Sequence, residues 1–285
     1  MRLSDALDSY LLQLAADGRS AHTLSQYGRH LRSFAAWLGA DRDLDGITTT
    51  DVARYMTTPA VVDGRSPATL NAVRTSLRVY FAFAHAAGFV AHNPGRLLRR
   101  SLCSAGPPRG LLDDEVARLM DALTVAQGPV ARRDHLLIAV MLRAGLRLGS
   151  ALALNRGDVD LGRSELAVRV AKNRQVEPVF ICGELRDHLV GYLADRWNAG
   201  DKPLFTGPGG ARLGQRQAQR RVEIWLRRAG VEHGSAHSLR HSFALRMYAR
   251  CGDVLLVKEA MRHRSIASTL VYARPREAEL RRMLG

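Results

Sequence analysis

The chain has 285 residues, 46% of them hydrophobic, enough for buried cores and for two domains of ordinary size. No run reaches the ~20 apolar residues that cross a bilayer, and the opening MRLSDALDSY lacks the apolar centre of a secretory signal, so a soluble cytoplasmic protein with no membrane partner is expected. Forty-two Lys and Arg against 27 Asp and Glu leave a net charge of +15, an excess that favours nucleic acid over a neutral ligand.

An amphipathic helix is predicted over 4–17, with Leu7, Leu11, Leu12, Leu14 and Ala15 as its apolar face and Gly18 as its stop. A second runs from Ser20 or Thr23 to Leu38, turning Leu24, Tyr27, Leu31 and Phe34 inward. Thr50-Asp51 opens a short third helix. Ser66-Pro67, a capping serine with proline in the first turn, starts a long one that reaches about Ala87. Asn93-Pro94 closes a shorter one, so residues 1–100 read as an all-helical module. The stretch SLCSAGPPRG at 101–110 holds two prolines, two glycines and two serines and reads as a linker to a second domain, 111–285.

That domain begins with three acids, Asp113 to Glu115, which suit the first turn of a helix. A buried helix covers 135–142, Ala144 to Arg147 breaks it, and a short helix follows to Leu154. The apolar period then changes to alternation, giving strands at 165–170 and 176–181 around a turn that contains Lys172. Helices are expected at 184–197 and 213–229. Arg212, Arg216 and Arg220 share four-residue spacing there and mark one charged face, suited either to DNA or to plain solvation. The fold class is mainly α with a small antiparallel β-sheet in the C-terminal domain. Cys103, Cys182 and Cys251 lie far apart without metal-ligand spacing, so no metal and no other cofactor is expected.

The densest chemistry lies between His237 and Tyr272. His237 and Arg240 are three apart and share a helix face. Gly252-Asp253 ends that helix, another covers 254–261, and Ser265 reads as the cap of a last helix carrying Tyr272. Guanidinium, imidazole and phenol side chains so combined suit a phosphate.

These residues resemble the tyrosine recombinases, the phage integrase family. The resemblance rests on AGLRLGSALAL around Arg147, Lys172 on a hairpin, HSLRHSFA with His237 and Arg240, and MRHRSIASTLVYAR with His263 and Tyr272. It extends to the N-terminal half, where SAHTLSQYGRHLRSFAAWL looks like the family's helical, SAM-like core-binding domain. Two positions depart from the family pattern: Ser150 stands where glutamate is frequent, and Met261-Arg262 where Leu-Gly is usual.

The resemblance implies a site-specific recombinase that cuts and rejoins double-stranded DNA through a 3′-phosphotyrosyl link and a Holliday junction, as a tetramer of itself or with a paralogous partner. Tyr272 becomes the nucleophile, which conserves the bond energy without ATP. Arg147 and Arg240 hold the non-bridging phosphate oxygens, since a guanidinium fork fits them and stays charged. Lys172 protonates the departing 5′ oxygen, His237 serves as acid or base near Tyr272, and His263 donates to the phosphate. His241 is ambiguous, and His22, His30, His85, His92 and His233 read as structural. The tail residues Leu280, Met283 and Leu284 are expected to pack on a neighbouring subunit. A type IB topoisomerase-like relaxing enzyme and a catalytically silent DNA-binding scaffold, the latter favoured by Ser150 and Arg262, remain alternatives.

Overall fold

A computed structural model describes residues 1–39, 42–103, 109–169, 176–194, 202–263 and 265–273. The chain divides into two compact units, Met1–Ala105 and Gly106–Gly285.

The first unit is helical: α1 (Leu3–Ala16), α2 (Ala21–Leu38), α3 (Thr49–Tyr55), α4 (Pro59–Val62) and α5 (Pro67–Ala86). Ser20 caps α2 through the Thr23 amide, and Ser66 caps α5 through the Thr69 amide with Pro67 in the first turn. The core joins Leu3, Leu7, Tyr10, Phe34, Tyr55, Leu77, Tyr80 and Phe81, with Phe34 edge-on to Tyr55 at 5.0 Å between ring centres. Such edge-to-face pairs add to the area they bury.

Two expectations are corrected here. Leu12 is 73% exposed, because the buried stripe of α1 is Leu3, Ala6, Leu7, Tyr10 and Leu14. No further helix lies between α5 and Asn93-Pro94. Residues 94–97 form turns, beside which the Asn93 side chain accepts the Gly95 amide at 2.9 Å.

The second unit contains α6 (Asp113–Val125), α7 (Pro129–Arg143), α8 (Leu148–Ala153), α9 (Gly183–Leu193), α10 (Gln215–Arg228), α11 (Ala236–Cys251), α12 (Val254–Met261) and α13 (Ala267–Leu270). Its sheet has antiparallel strands β1 (Val159–Asp160), β2 (Glu165–Arg169) and β3 (Val176–Phe180) in the order β1-β2-β3. Residues Leu136 to Leu142 of α7 are all buried, and the helix packs against α6, α8, α9 and α11. A helix apolar all round is one surrounded by partners.

Asp134, 1% exposed, ties α10 to α7: it accepts from Arg133, from Arg221 at 2.6 Å and from the Trp225 indole at 2.9 Å. Removing one of these partners would leave a buried charge incompletely paired, which is costly. The mainly helical architecture with its small antiparallel sheet agrees with the sequence reading. The two-residue strand β1 was not anticipated, being too short to show alternation. The tail residues Leu280, Met283 and Leu284 lie outside the described residues.

Candidate active site

Arg240 sits in the first turn and a half of α11, which Ser235 starts through a reciprocal cap with Ser238. Its side chain points inward and is 4% exposed. The guanidinium donates to two backbone carbonyls, Gly145 O after α7 and Met261 O at the end of α12. Three segments distant in sequence are thereby pinned round one cation. Gly145 has φ +63°, and a side chain there would run into the Phe243 ring, so glycine is required on both counts.

Arg147 lies at the N-terminal cap position of α8 and is exposed. Its charge reaches Arg240, His237, His263 and Tyr272. Among the described residues neither Arg147 nor Arg240 is paired with a carboxylate. Burial and the neighbouring Arg147 pull Arg240 down to about 10, which still leaves it charged at neutral pH.

Three imidazoles share this field. His263, just after α12, is pulled down to about 4 by burial and by Arg240 and Arg147, and its Nδ1 pairs with the Thr269 hydroxyl at 2.8 Å. His237 is lowered by partial desolvation and the same two guanidiniums. His241 packs edge-on to His237 with ring centres 4.8 Å apart and is lowered to about 4 by burial, His237 and Arg240. Every shift has the sign expected of a cationic cluster awaiting an anion.

Tyr272 follows α13 in the next turn, which corrects the expectation that the last helix carries it. Past Leu270 the backbone bonds tighten to i→i−3, Tyr272 N–H to Thr269 O and Ala273 N–H to Leu270 O, so the chain leaves the helix as a turn. The phenol ring is 5% exposed, packs on Ala244, Val257 and Met261, and stacks on His263 with ring centres 6.3 Å apart. Its hydroxyl meets His241 Nδ1 at 2.6 Å. Burial raises the phenol's pKa, against the lowering pull of Arg240 and Arg147.

Thus Arg147, His237, Arg240, His263 and Tyr272 converge, and His241 joins them. The signal for His241 was its i+4 relation to His237, one residue past Arg240. Lys172 lies outside the described residues; the β2–β3 ladder ends at the Arg169–Val176 pair.

Arg212 is not on the helix of Arg216 and Arg220, because α10 begins at Gln215. It caps the end of α8 instead, donating to Leu152 O at 2.5 Å, Leu154 O at 3.0 Å and Asn155 Oδ1 at 2.6 Å. These bonds satisfy carbonyls that a helix end leaves open. Arg216 and Arg220 are exposed, one turn apart.

The model of the phage integrase family matches residues 109–279, and that of the phage integrase N-terminal SAM-like domain matches residues 7–88. The chain belongs to the phage integrase family. It is a tyrosine recombinase, an enzyme that breaks and rejoins DNA at specific sites. The recombinase is 32% identical over 278 residues to tyrosine recombinase XerC of Neisseria gonorrhoeae, covering 94% of this chain and 90% of that protein. XerC of Proteus mirabilis is 29% identical over 276 residues, 95% and 89%. Among solved structures, the Tn1549 transposon integrase in complex with a circular intermediate DNA aligns with a TM-score of 0.79 at 16% identity, over 100% of this chain and 99% of that one. The XerH recombinase bound to palindromic difH substrate aligns with a TM-score of 0.74 at 21% identity, over 98% and 82%.

Proposed function

We propose that this recombinase exchanges DNA strands with Tyr272 as nucleophile, Arg147 and Arg240 as the phosphate clamp, and Lys172 as the acid for the leaving group. The observation that supports it best is the convergence of two guanidiniums, without carboxylate partners among the described residues, three imidazoles and one phenol on the ends of α7, α11, α12 and α13.

The Tyr272 oxygen loses its proton and bonds to phosphorus, and the P–O5′ bond breaks. The 5′ oxygen leaves as a hydroxyl with a proton from Lys172, and the 3′ phosphate stays esterified to the tyrosine. The 5′ hydroxyl of another strand then reverses these steps, so bond energy is conserved. Negative charge gathering on the non-bridging oxygens is met by Arg147 and Arg240, which are positioned before the reaction. His237 exchanges the tyrosine proton and His263 donates to the phosphate, both gaining basicity once the anion docks.

Two rounds of such exchange give a Holliday junction within a tetramer, formed by this chain or with a paralogous recombinase. Residues 1–100 serve as the core-binding domain and 111–285 as the catalytic domain, with Arg216 and Arg220 on DNA. Among the described residues no helix is long and apolar enough to cross a membrane, consistent with work on DNA in the cytoplasm. A suicide substrate nicked beside the cleavage point tests the reading: the released fragment diffuses away and leaves a protein–DNA adduct. Absence of that adduct with a recombination site known to bind would overturn it.

A further inference from the structure

The Tyr272 hydroxyl has one hydrogen-bond partner among the described residues, Nδ1 of His241 at 2.6 Å. The hydroxyl proton has no other acceptor among them, so the phenol donates and the imidazole accepts. In this pose the phenol is 5% exposed, its ring enclosed by Ala244, Val257 and Met261. With so little of the residue exposed and its hydroxyl engaged by His241, attack on a phosphodiester requires the tyrosine to leave this seat.

His241 is placed to govern that departure. It is the residue next to Arg240 and packs edge-on to His237, so the seat and the Arg240 arm of the phosphate clamp share one turn of α11. We infer that His241 is a positioning residue for the nucleophile: its Nδ1 holds the Tyr272 hydroxyl retracted in the DNA-free protein, and DNA docking at Arg240 draws the phenol out. The inference rests on Tyr272 being the nucleophile.

The alternative for the same contact is that His241 takes the phenol proton. The charge balance opposes it. Burial, His237 and Arg240 lower the imidazole's pKa while burial raises the phenol's, so in this pose the proton stays on the phenol. A bond between two neutral groups holds the nucleophile in place without activating it. It also leaves the open state a minority, and DNA that binds only that state pays for the shift in apparent affinity.

The test uses the full chain and two readouts. Tetranitromethane nitration of the DNA-free protein, followed by peptide mass analysis, reports how often each tyrosine is open to solvent. In the wild type Tyr272 should nitrate more slowly than the partly exposed Tyr248. His241→Ala should raise Tyr272 nitration about fivefold, the ratio one net hydrogen bond supplies, while His241→Asn, which keeps an acceptor, stays within about twofold of wild type. The suicide-substrate concentration for half-maximal cleavage should fall by the same factor in His241→Ala, because the open state is then more populated.

Wild-type Tyr272 nitrating as fast as Tyr248, or a rise below twofold in a folded His241→Ala protein, overturns the inference. So does a cleavage rate at saturating DNA that drops a hundredfold with the half-maximal concentration unchanged, the signature of a proton acceptor. A Tyr272→Phe protein that still forms the adduct would instead remove the nucleophile assignment, and the nitration result would stand apart from it.

Discussion

Arg262 and Glu177 join the turn before His263 to strand β3: the guanidinium Nε donates to the carboxylate at 2.9 Å, and Nη2 donates to the neighbouring Pro178 carbonyl. Arg262 adopts φ +49° and ψ +49°, a left-handed conformation that glycine takes freely. The family pattern has glycine at this place. Here an arginine accepts the backbone cost and ties two segments of the site together, while adding a third positive charge near Arg240.

The two effects separate by substitution. Arg262→Ala loses the bonds to β3 and keeps the strain. Arg262→Gly loses the same bonds and relieves it. After allowing for the greater freedom of glycine in the unfolded chain, the glycine variant should be more stable than the alanine variant by about 0.5–1 kcal/mol in urea unfolding. The reverse order would mean that the left-handed backbone carries no strain here.

The two clamp arginines should fail differently. Arg147 is exposed and Arg240 is 4% exposed with both its carbonyl partners buried in the fold. Arg147→Ala should leave stability within about 0.5 kcal/mol and slow single-turnover cleavage by roughly a hundredfold or more, about 3 kcal/mol in the barrier. Arg240→Ala should lose a similar rate and in addition cost about 1–3 kcal/mol of stability, because two carbonyls lose their donor. Cleavage at wild-type rate in either variant would remove that residue from the clamp.

Salt titration separates Arg216 from Arg212. Each phosphate contact contributes about 0.9 to the slope of log affinity against log salt. Arg216→Ala should lower the slope by about that amount without loss of stability. Arg212→Ala should leave the slope in place and lower the urea midpoint, since its three bonds serve the end of α8. An unchanged slope for Arg216→Ala would return that residue to the solvated surface.

Much of this was legible in the sequence because capping and spacing are local. Ser66-Pro67 marked α5, Gly252-Asp253 marked the break after α11, and the short stretches around Arg147, Arg240 and His263 to Tyr272 carried the family resemblance. The rest depended on contacts between distant segments. Periodicity gives the angle of a residue round a helix axis but not what covers it, so Arg212 read as a member of a charged face when three acceptors from another element claim it. The same limit left His241 ambiguous, since its partner is 31 residues away.

Stability should fall on acidification in a defined window. The folded protein holds His241 and His263 near 4, below the 6.5 of the unfolded chain. Between those values the unfolded chain binds more protons, so stability is full above about pH 6.5 and declines as pH falls toward 4. His135, also pulled to about 4 by burial, and His188 act in the same direction. Urea midpoints at pH 7, 6, 5 and 4.5 should decrease in order; a flat profile would show that these imidazoles are not held neutral by the fold.

In the proposed reaction one phenol becomes covalently linked to a DNA strand. Trapping the enzyme on a nicked suicide substrate, digesting it and sequencing the DNA-bearing peptide measures this directly. A 3′-phosphate ester on Tyr272 is expected, lost in Tyr272→Phe while DNA binding persists. An ester on any other residue, or an adduct that survives Tyr272→Phe, would contradict it.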